Sequence, residues 1–244
     1  MIRTSSSRAP RACASRACAS NWVVSDMEQR NLRIAVSKGS LFGDAVELLT
    51  EAGLDTTGLA DPGRRLIISN PGVDFIIVRP TDAPVFVTYG GADCGICGKD
   101  TLVEAGLSVM ELVDLRFGYC RFIVAEPEER RGLAEENYER LGVLRIATKS
   151  PNITRAFFEE RGVQVDVIKM HGNIELAPLV GMADRIVDIT ATGTTLRENN
   201  LRIVDEVLSS TARFIANSAS VRTDVRVREL AARLEELTRD RDVS

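Results

Sequence analysis

The stretch Arg185-Ile-Val-Asp-Ile-Thr-Ala-Thr-Gly-Thr-Thr-Leu196 joins an apolar strand to a loop that suits a phosphate group. The strand carries a single acid, Asp188. The loop, residues 191–195, places three threonines around Gly193, so several backbone N–H groups and hydroxyls can point towards one place. A helix beginning at Leu196 would add its N-terminal dipole. We therefore expect a phosphorylated ribose here, with Asp188 accepting hydrogen bonds from the sugar hydroxyls.

A plain connector is the competing interpretation of this loop, because Ser, Thr and Gly are common in turns after strands. The more widespread nucleotide fingerprints are absent from the sequence. No G-x-G-x-x-G opens a helix and no G-x-x-x-x-G-K-[ST] occurs, which disfavours dinucleotide-binding and P-loop folds.

Composition places the chain among globular proteins. Its 244 residues are 44% hydrophobic and 27% charged, enough for one large domain or two modest ones. A net charge of −4 and an aromatic content of 5% give no electrostatic footprint or stacking platform for nucleic acid. No apolar run approaches the roughly 18 residues of a membrane span.

The amino-terminal segment differs from the remainder. It contains four arginines and no acid before Asp26, and the pentapeptide Arg-Ala-Cys-Ala-Ser occurs in tandem at 11–15 and 16–20. Without an apolar stretch of about 7–15 residues it is no secretory signal, although it resembles an organelle transit peptide in composition. We expect residues 1–30 to be a disordered tail, or upstream sequence from a mis-assigned start with Met27 as the natural beginning.

The cysteines indicate a reducing compartment. The odd count of five, without a secretory signal, favours reduced thiols in a cytoplasm. Cys94-Gly-Ile-Cys97 matches C-x-x-C, but a zinc site needs more ligands and the only histidine is His171. A thioredoxin-like pair would open a helix, whereas this segment reads as a strand. Redox or metal chemistry is therefore disfavoured.

Apolar runs of strand type alternate with amphipathic helices along the body of the chain. The predicted strands are 32–36, 66–69, 73–78, 92–97, 109–113, 120–125, 144–148, 163–170, 186–189, 203–208 and 212–216. The predicted helices are 41–52, 81–89, 99–105, 152–161, 174–180 (with Asn173 as its cap) and 223–239. Runs without two-residue alternation indicate mostly parallel sheets that are buried on both faces.

We therefore predict an α/β fold of two lobes with a central cleft. The first lobe comprises 31–118 plus 200–222, the second 119–199, and 223–244 form a C-terminal helix. In such folds ligands bind at the carboxyl ends of strands. Candidate cations fall at these strand-to-helix corners, namely Lys38, Lys99 and Lys149, with Arg64, Arg65 and Arg79 near strand ends. Each lysine alone is more typical of a solvated surface, although three at such corners together favour a site; each arginine is as typical of the surface, and Glu175 either caps its helix or binds substrate.

Six segments in this order resemble ATP phosphoribosyltransferase, and they span most of the body. They are Lys38-Gly39, Gly90-Gly-Ala-Asp93, Gly98-Lys-Asp100, Arg145-Ile-Ala-Thr-Lys149, Glu175-Leu-Ala-Pro-Leu-Val-Gly181 and Asp188-Ile-x-x-Thr192-Gly-x-Thr195-Leu-Arg197. One departure is Ser40, where the family commonly has arginine. Type I phosphoribosyltransferases carry two adjacent acids before their loop, whereas this chain has only Asp188.

The resemblance implies the first step of histidine biosynthesis. Adenine N1 of ATP would attack the anomeric carbon of phosphoribosyl pyrophosphate with inversion, and magnesium would be bound to the departing pyrophosphate. Lys38, Arg64, Arg65 and Asp188 would take part in catalysis, with the arginines replacing the charge missing at Ser40. Phosphoribosyl pyrophosphate would contact Glu175, Asp188, Ala191, Thr192, Gly193, Thr194, Thr195 and Leu196. ATP or pyrophosphate would contact Lys38, Gly39, Arg79, Asp93, Lys99 and Lys149.

The resemblance also implies partners. The chain looks like the family's short form, whose relatives work with a regulatory subunit similar to histidyl-tRNA synthetase, so we expect a homodimeric core in a hetero-oligomer. The stripe Val227, Leu230, Leu234 and Leu237 either packs on its own body or contacts a subunit. Two other functions stay open at this point: a two-lobed solute-binding protein of the type II periplasmic architecture without catalysis, and a phosphoribosyltransferase for another base.

Overall fold

Two mixed β-sheets organise the part of the chain that the structure, a computed structural model, describes, residues 30–190 and 193–243. Most of the predicted tail, residues 1–29, lies outside this part. Residues Leu32–Ser244 form one compact unit. The predicted two-sheet α/β architecture is confirmed.

The first sheet has six strands in the order β2-β3-β1-β4-β11-β5. Its parallel centre is β3-β1-β4, and the other three pairings are antiparallel. The strands are β1 (Leu32–Ser37), β2 (Ile67–Asn70), β3 (Val73–Val78), β4 (Cys94–Gly98), β5 (Met110–Asp114) and β11 (Ala212–Ala216). Fully buried side chains such as Ile34, Phe75 and Phe214 fill the core beneath it.

The second sheet has five strands in the order β10-β6-β9-β7-β8. β7 pairs in parallel with β8 and β9, whereas β6 pairs antiparallel with β9 and β10. The strands are β6 (Cys120–Pro127), β7 (Leu144–Thr148), β8 (Val165–Lys169), β9 (Arg185–Thr190) and β10 (Leu201–Ser210). Separate apolar clusters cover its two faces, one around Phe122 and one around Ile123.

Two sequence predictions about these sheets need correction. The sheets are mixed rather than mostly parallel, because a continuous apolar run reports burial on both faces and not strand direction. Strand β10 belongs to the second sheet, whereas the sequence interpretation put residues 200–222 into the first lobe. The chain therefore returns to the first sheet near Thr211, about ten residues later than predicted.

Nine α-helices connect and cover the strands in the described residues. They are α1 (Phe42–Glu51), α2 (Ala83–Thr88), α3 (Lys99–Ala105), α4 (Leu133–Leu141), α5 (Pro151–Glu160), α6 (Leu176–Leu179), α7 (Thr194–Glu198), α8 (Ser218–Thr223) and α9 (Val225–Thr238), with 3₁₀ turns at Pro80–Asp82 and Glu128–Arg130. The helix predicted from 174 is shorter than expected, and Asn173 forms no side-chain cap there but adopts a positive φ of 47°.

The helix predicted at 223–239 is present as α9, and α8, a short helix that was not predicted, precedes it. Asp224 has extended backbone angles between α8 and α9, and its side chain accepts a hydrogen bond from the Arg226 amide. This N-cap separates α8 from α9. Beyond it, Val227, Leu230 and Leu234 are buried in the core of the first sheet. The apolar stripe therefore packs on its own body, the first of the two readings.

Candidate functional site

A cavity of about 380 Å³ opens at the carboxyl ends of the three parallel strands of the first sheet. Ser37 ends β1, Gly98 ends β4 and Pro80 follows β3. Ile189 of β9 lines the cavity from the second sheet, so the cavity lies in a cleft between the lobes, as predicted. Among the described residues, the lining consists of Ser37, Lys38, Ser40, Leu41, Pro80, Gly98, Asp100, Thr101, Gly118, Tyr119, Cys120 and Ile189.

Lys38 and Gly39 form the turn between β1 and α1 at the edge of this cavity. The Lys38 amide donates to the Val78 carbonyl at 2.9 Å, which fixes the backbone beside β3. Gly39 has a φ of +120°, a conformation that side-chain-bearing residues rarely adopt. The turn leaves the Lys38 side chain exposed on the cavity wall, with Ser40 next to it. A cation is thus available at a place where an anionic ligand can enter.

Asp188, Lys149 and Glu175 come together in the second lobe. The Lys149 Nζ lies 4.0 Å from the Asp188 Oδ1. Burial raises the pKa of Asp188, the Ile189 amide and Lys149 lower it, and the nearby Glu175 raises it. The side chain of Asp188 is only 15% exposed and accepts one hydrogen bond, from the Ile189 amide at 2.8 Å. Its remaining lone pairs can accept from hydroxyl donors.

The loop after β9 begins its helix earlier than predicted. Helix α7 starts at Thr194, not at Leu196, and Gly193 precedes it with a φ of +71°. The Gly193 amide donates to the Thr190 hydroxyl at 2.8 Å. Thr194 and Thr195 are exposed, whereas Leu196 is buried in the second lobe. The predicted contacts of Ala191 and Thr192 lie outside the described residues.

The arginines predicted near the site lie in exposed positions. Arg65 donates to the carbonyls of Pro62 and Asp61, both at 3.3 Å, within the segment between α1 and β2. Arg64 is exposed beside it. Neither lines the cavity. Arg79 is exposed directly after β3, next to the cavity-lining Pro80, so it is the best placed of the three.

Two predicted contacts are corrected by the placement of the side chains. Lys99 forms an ion pair with Glu111 of β5, and it does not line the cavity. Asp93 precedes β4 at the strand end opposite the cavity and is 2% exposed. Its carboxylate accepts from the Arg33 amide at 3.0 Å and from the Ser220 hydroxyl at 2.9 Å, so it joins β1 to α8 instead.

Several cavity residues escaped the sequence analysis. Asp100 and Thr101 follow Lys99 in the first turn of α3. From the sequence, Lys99 is predicted instead of them, because a cation is the expected partner of a phosphate. Tyr119 and Cys120 line the cavity where the chain crosses between the sheets, a position that no local pattern marks. The Gly98-Lys-Asp100 motif therefore lies at the cavity, where Gly98 and Asp100 line it and Lys99 does not.

The C-x-x-C pair has a structural role. Cys94 and Cys97 are buried free thiols in β4, and burial raises the pKa of both. A buried thiol with a raised pKa is a poor nucleophile and a poor metal ligand. Within residues 30–190 and 193–243 no group of three or more His, Cys, Asp or Glu side chains could hold a metal ion.

Comparison with known sequences identifies a consistent set of relatives. A family model described as "HisG: ATP phosphoribosyltransferase" matches residues 79–236. An ATP phosphoribosyltransferase of Rubrobacter xylanophilus is 54% identical over 79% of this chain and 89% of its own length. That of Moorella thermoacetica is 54% identical over 80% and 87%, and that of Desulfitobacterium hafniense 46% identical over 86% and 98%.

Comparison with solved structures agrees. The ATP phosphoribosyl transferase (HisG:HisZ) complex from Thermotoga maritima contains a chain with a TM-score of 0.72 and 33% identity, covering 85% of this chain and 97% of that one. The protein Tv2483 bound to L-arginine has a TM-score of 0.54 at 16% identity, over 93% and 91%. The second likeness, at this low identity, concerns the fold alone.

Proposed function

The chain belongs to the ATP phosphoribosyltransferase family, and we propose that its two substrates meet in the cleft between the two sheets. The enzyme is a pentosyltransferase that transfers the phosphoribosyl group of phosphoribosyl pyrophosphate to ATP and releases pyrophosphate, the first step of histidine biosynthesis. One observation carries the proposed location. The cavity lies at the carboxyl ends of β1, β3 and β4 and is also lined by Ile189 of β9, whose chain neighbour Asp188 does not line it but lies in the same strand of the second sheet.

We propose that phosphoribosyl pyrophosphate binds to the second lobe. Asp188 accepts from the ribose hydroxyls, because its carboxylate is partly buried and, within the described residues, accepts a hydrogen bond only from the Ile189 amide. The 5′-phosphate binds at residues 191–195, where the exposed Thr194 and Thr195 offer hydroxyl and amide donors. Glu175 lies close enough to affect Asp188 electrostatically and borders the same sugar.

The chemical task of the chain is positioning and charge neutralisation. Adenine N1 is neutral and the leaving pyrophosphate is strongly anionic, so no strong base or covalent nucleophile is required. Lys38 on the cavity wall and Lys149 at the end of β7 are the proposed cations for the phosphates, with Arg79 at the entrance. Arg64 and Arg65 remain candidates only if their exposed segment moves towards the cleft.

Magnesium fits this site as a companion of the substrate. The described residues offer no three-carboxylate or mixed cage. Magnesium usually keeps several waters and binds through substrate phosphates, so we propose that it arrives on the pyrophosphate and neutralises part of its charge. The side chains of the cleft then bind and orient a phosphate group whose charge is already reduced.

The location is tested by steady-state kinetics with ATP, phosphoribosyl pyrophosphate and magnesium. We expect Lys38→Ala and Asp188→Asn each to lower kcat/KM by about one to three orders of magnitude, the scale of losing charge-assisted hydrogen bonds. Matched controls are Lys169→Ala and Asp166→Asn, exposed residues of the edge strand β8. Near-native kinetics for both cleft variants would place the reaction elsewhere.

We further propose that the chain works with a regulatory subunit. Support comes from the similar chain of the Thermotoga maritima HisG:HisZ complex, of which 97% is covered. A homodimeric core within that hetero-oligomer remains our proposal. Light scattering of the chain alone and mixed with a HisZ-type protein measures both stoichiometries.

The cytoplasm is the proposed compartment, because Cys94, Cys97 and Cys120 are free thiols among the described residues.

A further inference from the structure

The amino end of helix α5 is capped by a side chain from the other lobe. Its own N-cap residue, Ser150, forms no side-chain cap. Instead the Glu104 carboxylate, on α3 beside the first sheet, accepts hydrogen bonds from the amides of Asn152 and Ile153, both at 3.0 Å. The Asn152 side chain in turn donates to the Glu104 carbonyl at 2.8 Å.

Glu104 satisfies the donors that this helix start leaves open. Pro151 has no N–H group, and the Thr154 amide already donates to the Ser150 carbonyl at 3.1 Å. The amides of Asn152 and Ile153 therefore depend on Glu104 for a protein acceptor. A carboxylate is also the favoured charge at a helix N-terminus. If the lobes moved apart, all three hydrogen bonds would break together.

This contact joins the two halves of the proposed active site. Helix α3 begins at the cavity, since Gly98, Asp100 and Thr101 line it. Helix α5 begins two residues after Lys149, which lies 4.0 Å from Asp188. The spacing between the Lys38 side and the Lys149–Asp188 side of the cleft is therefore linked to the Glu104 contact.

A second contact of α3 lies closer to the chain crossing. The Ser210 hydroxyl donates to the Asp100 carboxylate at 2.7 Å. Ser210 is the last residue of β10, directly before the chain returns to the first sheet, so this bond acts near the pivot. Glu104 lies one helical turn further along α3, about 5 Å away. Because it lies further from the chain crossing than Asp100, its contact restrains the angle between the lobes more strongly.

We propose that Glu104 is a positioning residue that holds the lobes at the spacing at which both substrates are bound. The inference rests on the cleft as the place of reaction. Glu104 touches no substrate. It raises the population of the closed form, by which we mean the form in which the lobes have the spacing held by the Glu104 contact. When that population falls, the apparent affinity for ligands that need the closed form falls by the same factor.

The test combines kinetics with hydrogen exchange on the full chain. We expect Glu104→Ala to raise the KM for both substrates about tenfold, the equivalent of one charge-assisted hydrogen bond, while kcat at saturation changes little. Glu104→Gln, which keeps the shape and loses the charge, should fall between. The matched control is Glu160→Gln, an exposed carboxylate at the opposite end of α5. In the same variants, exchange at the amides of Asn152 and Ile153 should accelerate only when Glu104 is changed.

Each outcome decides the proposal. Faster exchange together with raised KM values supports it. Faster exchange with unchanged KM, or a lower kcat at unchanged KM, would reduce Glu104 to a structural cap. Unchanged exchange at the Asn152 and Ile153 amides in the Glu104 variants would show that the interlobe contact does not form in solution, and would overturn the proposal. If the cleft assignment itself is wrong, Lys38→Ala and Asp188→Asn retain activity while the exchange result at α5 stands, so the two failures are distinguishable.

Discussion

Asp188 lies in surroundings that work against its charge. Burial and the neighbouring Glu175 raise the pKa of this carboxyl, and Lys149 at 4.0 Å compensates only in part. Ionisable groups with such perturbed pKa values cluster at functional sites. The Ile189 amide is its one hydrogen-bond donor within the described residues, so the carboxylate has lone pairs left for the hydroxyl groups of the proposed ligand.

The raised pKa predicts a pH-dependent gain in stability for Asp188→Asn. The folded chain binds the proton more tightly than the unfolded chain, whose ordinary value is 3.8. The carboxyl therefore favours folding most below that value, and the effect is lost as the pH rises through the folded-state pKa. We expect Asp188→Asn to melt at a higher temperature than wild type at pH 8, with a smaller difference near pH 4. A lower melting temperature at pH 8 contradicts the electrostatic account; Asp166→Asn serves as control.

Gly193 provides a second prediction at the residue scale. Its φ of +71° disfavours any side chain, although a Cβ there would meet only the Arg197 guanidinium at 3.4 Å and the Thr190 hydroxyl at 4.0 Å. We expect Gly193→Ala to lose about 1 kcal/mol of stability from backbone strain and to weaken phosphoribosyl pyrophosphate binding at least tenfold. Calorimetric titration measures the binding.

Gly142 offers a matched control for that experiment. It has a φ of +70° at the end of α4, and nothing lies within 4 Å of a Cβ placed there. Gly142→Ala should therefore carry the same strain and leave ligand affinity unchanged. Equal affinity in the two variants would show that Gly193 shapes a connector and not a phosphate loop.

At the element scale, the apolar stripe of helix α9 is a pattern that the sequence alone leaves open between two interpretations. Its apolar stripe fits a subunit contact as well as a core, yet Leu234 and Val227 are fully buried against the first sheet. We expect Leu234→Ala to destabilise the chain by about 2–5 kcal/mol, since a large buried side chain is removed. Glu235→Ala, an exposed neighbour on the same helix, should change stability by less than about 0.5 kcal/mol.

Chemical denaturation at several protein concentrations measures both variants. A loss that depends on concentration would indicate that the stripe also contributes to a subunit interface. A loss below about 1 kcal/mol for Leu234→Ala would contradict its burial in the core.

The elements whose bounds were predicted without error have strong local signals. β3, α3, β7 and β11 are bounded by turns, by charge or by the end of a continuous apolar run. Strand direction could not be predicted, because it depends on which distant strand lies alongside. Helix α8 was not predicted, because its six residues are too few to show a helical periodicity. In the site, Lys99 and Asp93 were misassigned because their partners, Glu111 and Ser220, are distant in sequence.

At the scale of the whole molecule, two sheets are joined by two crossings of the chain. One crossing runs from β5 to β6 through Gly118, and the other joins β10 to β11 at Thr211. Solute-binding proteins share this architecture at 14–16% identity, which concerns the fold alone. Two crossings permit a hinge, and the contact of Glu104 with α5 lies away from them.

The last prediction concerns regulation of the assembled enzyme. If a HisZ-type subunit carries the regulatory site, free histidine does not bind the isolated chain and therefore cannot change its activity. We expect the chain alone to keep its activity when histidine is added, and the complex with such a subunit to be inhibited. Activity is measured on both preparations over the same range of histidine, with another amino acid as control. Histidine-specific inhibition of the isolated chain would place the regulatory site within these 244 residues and would overturn the proposed division of labour.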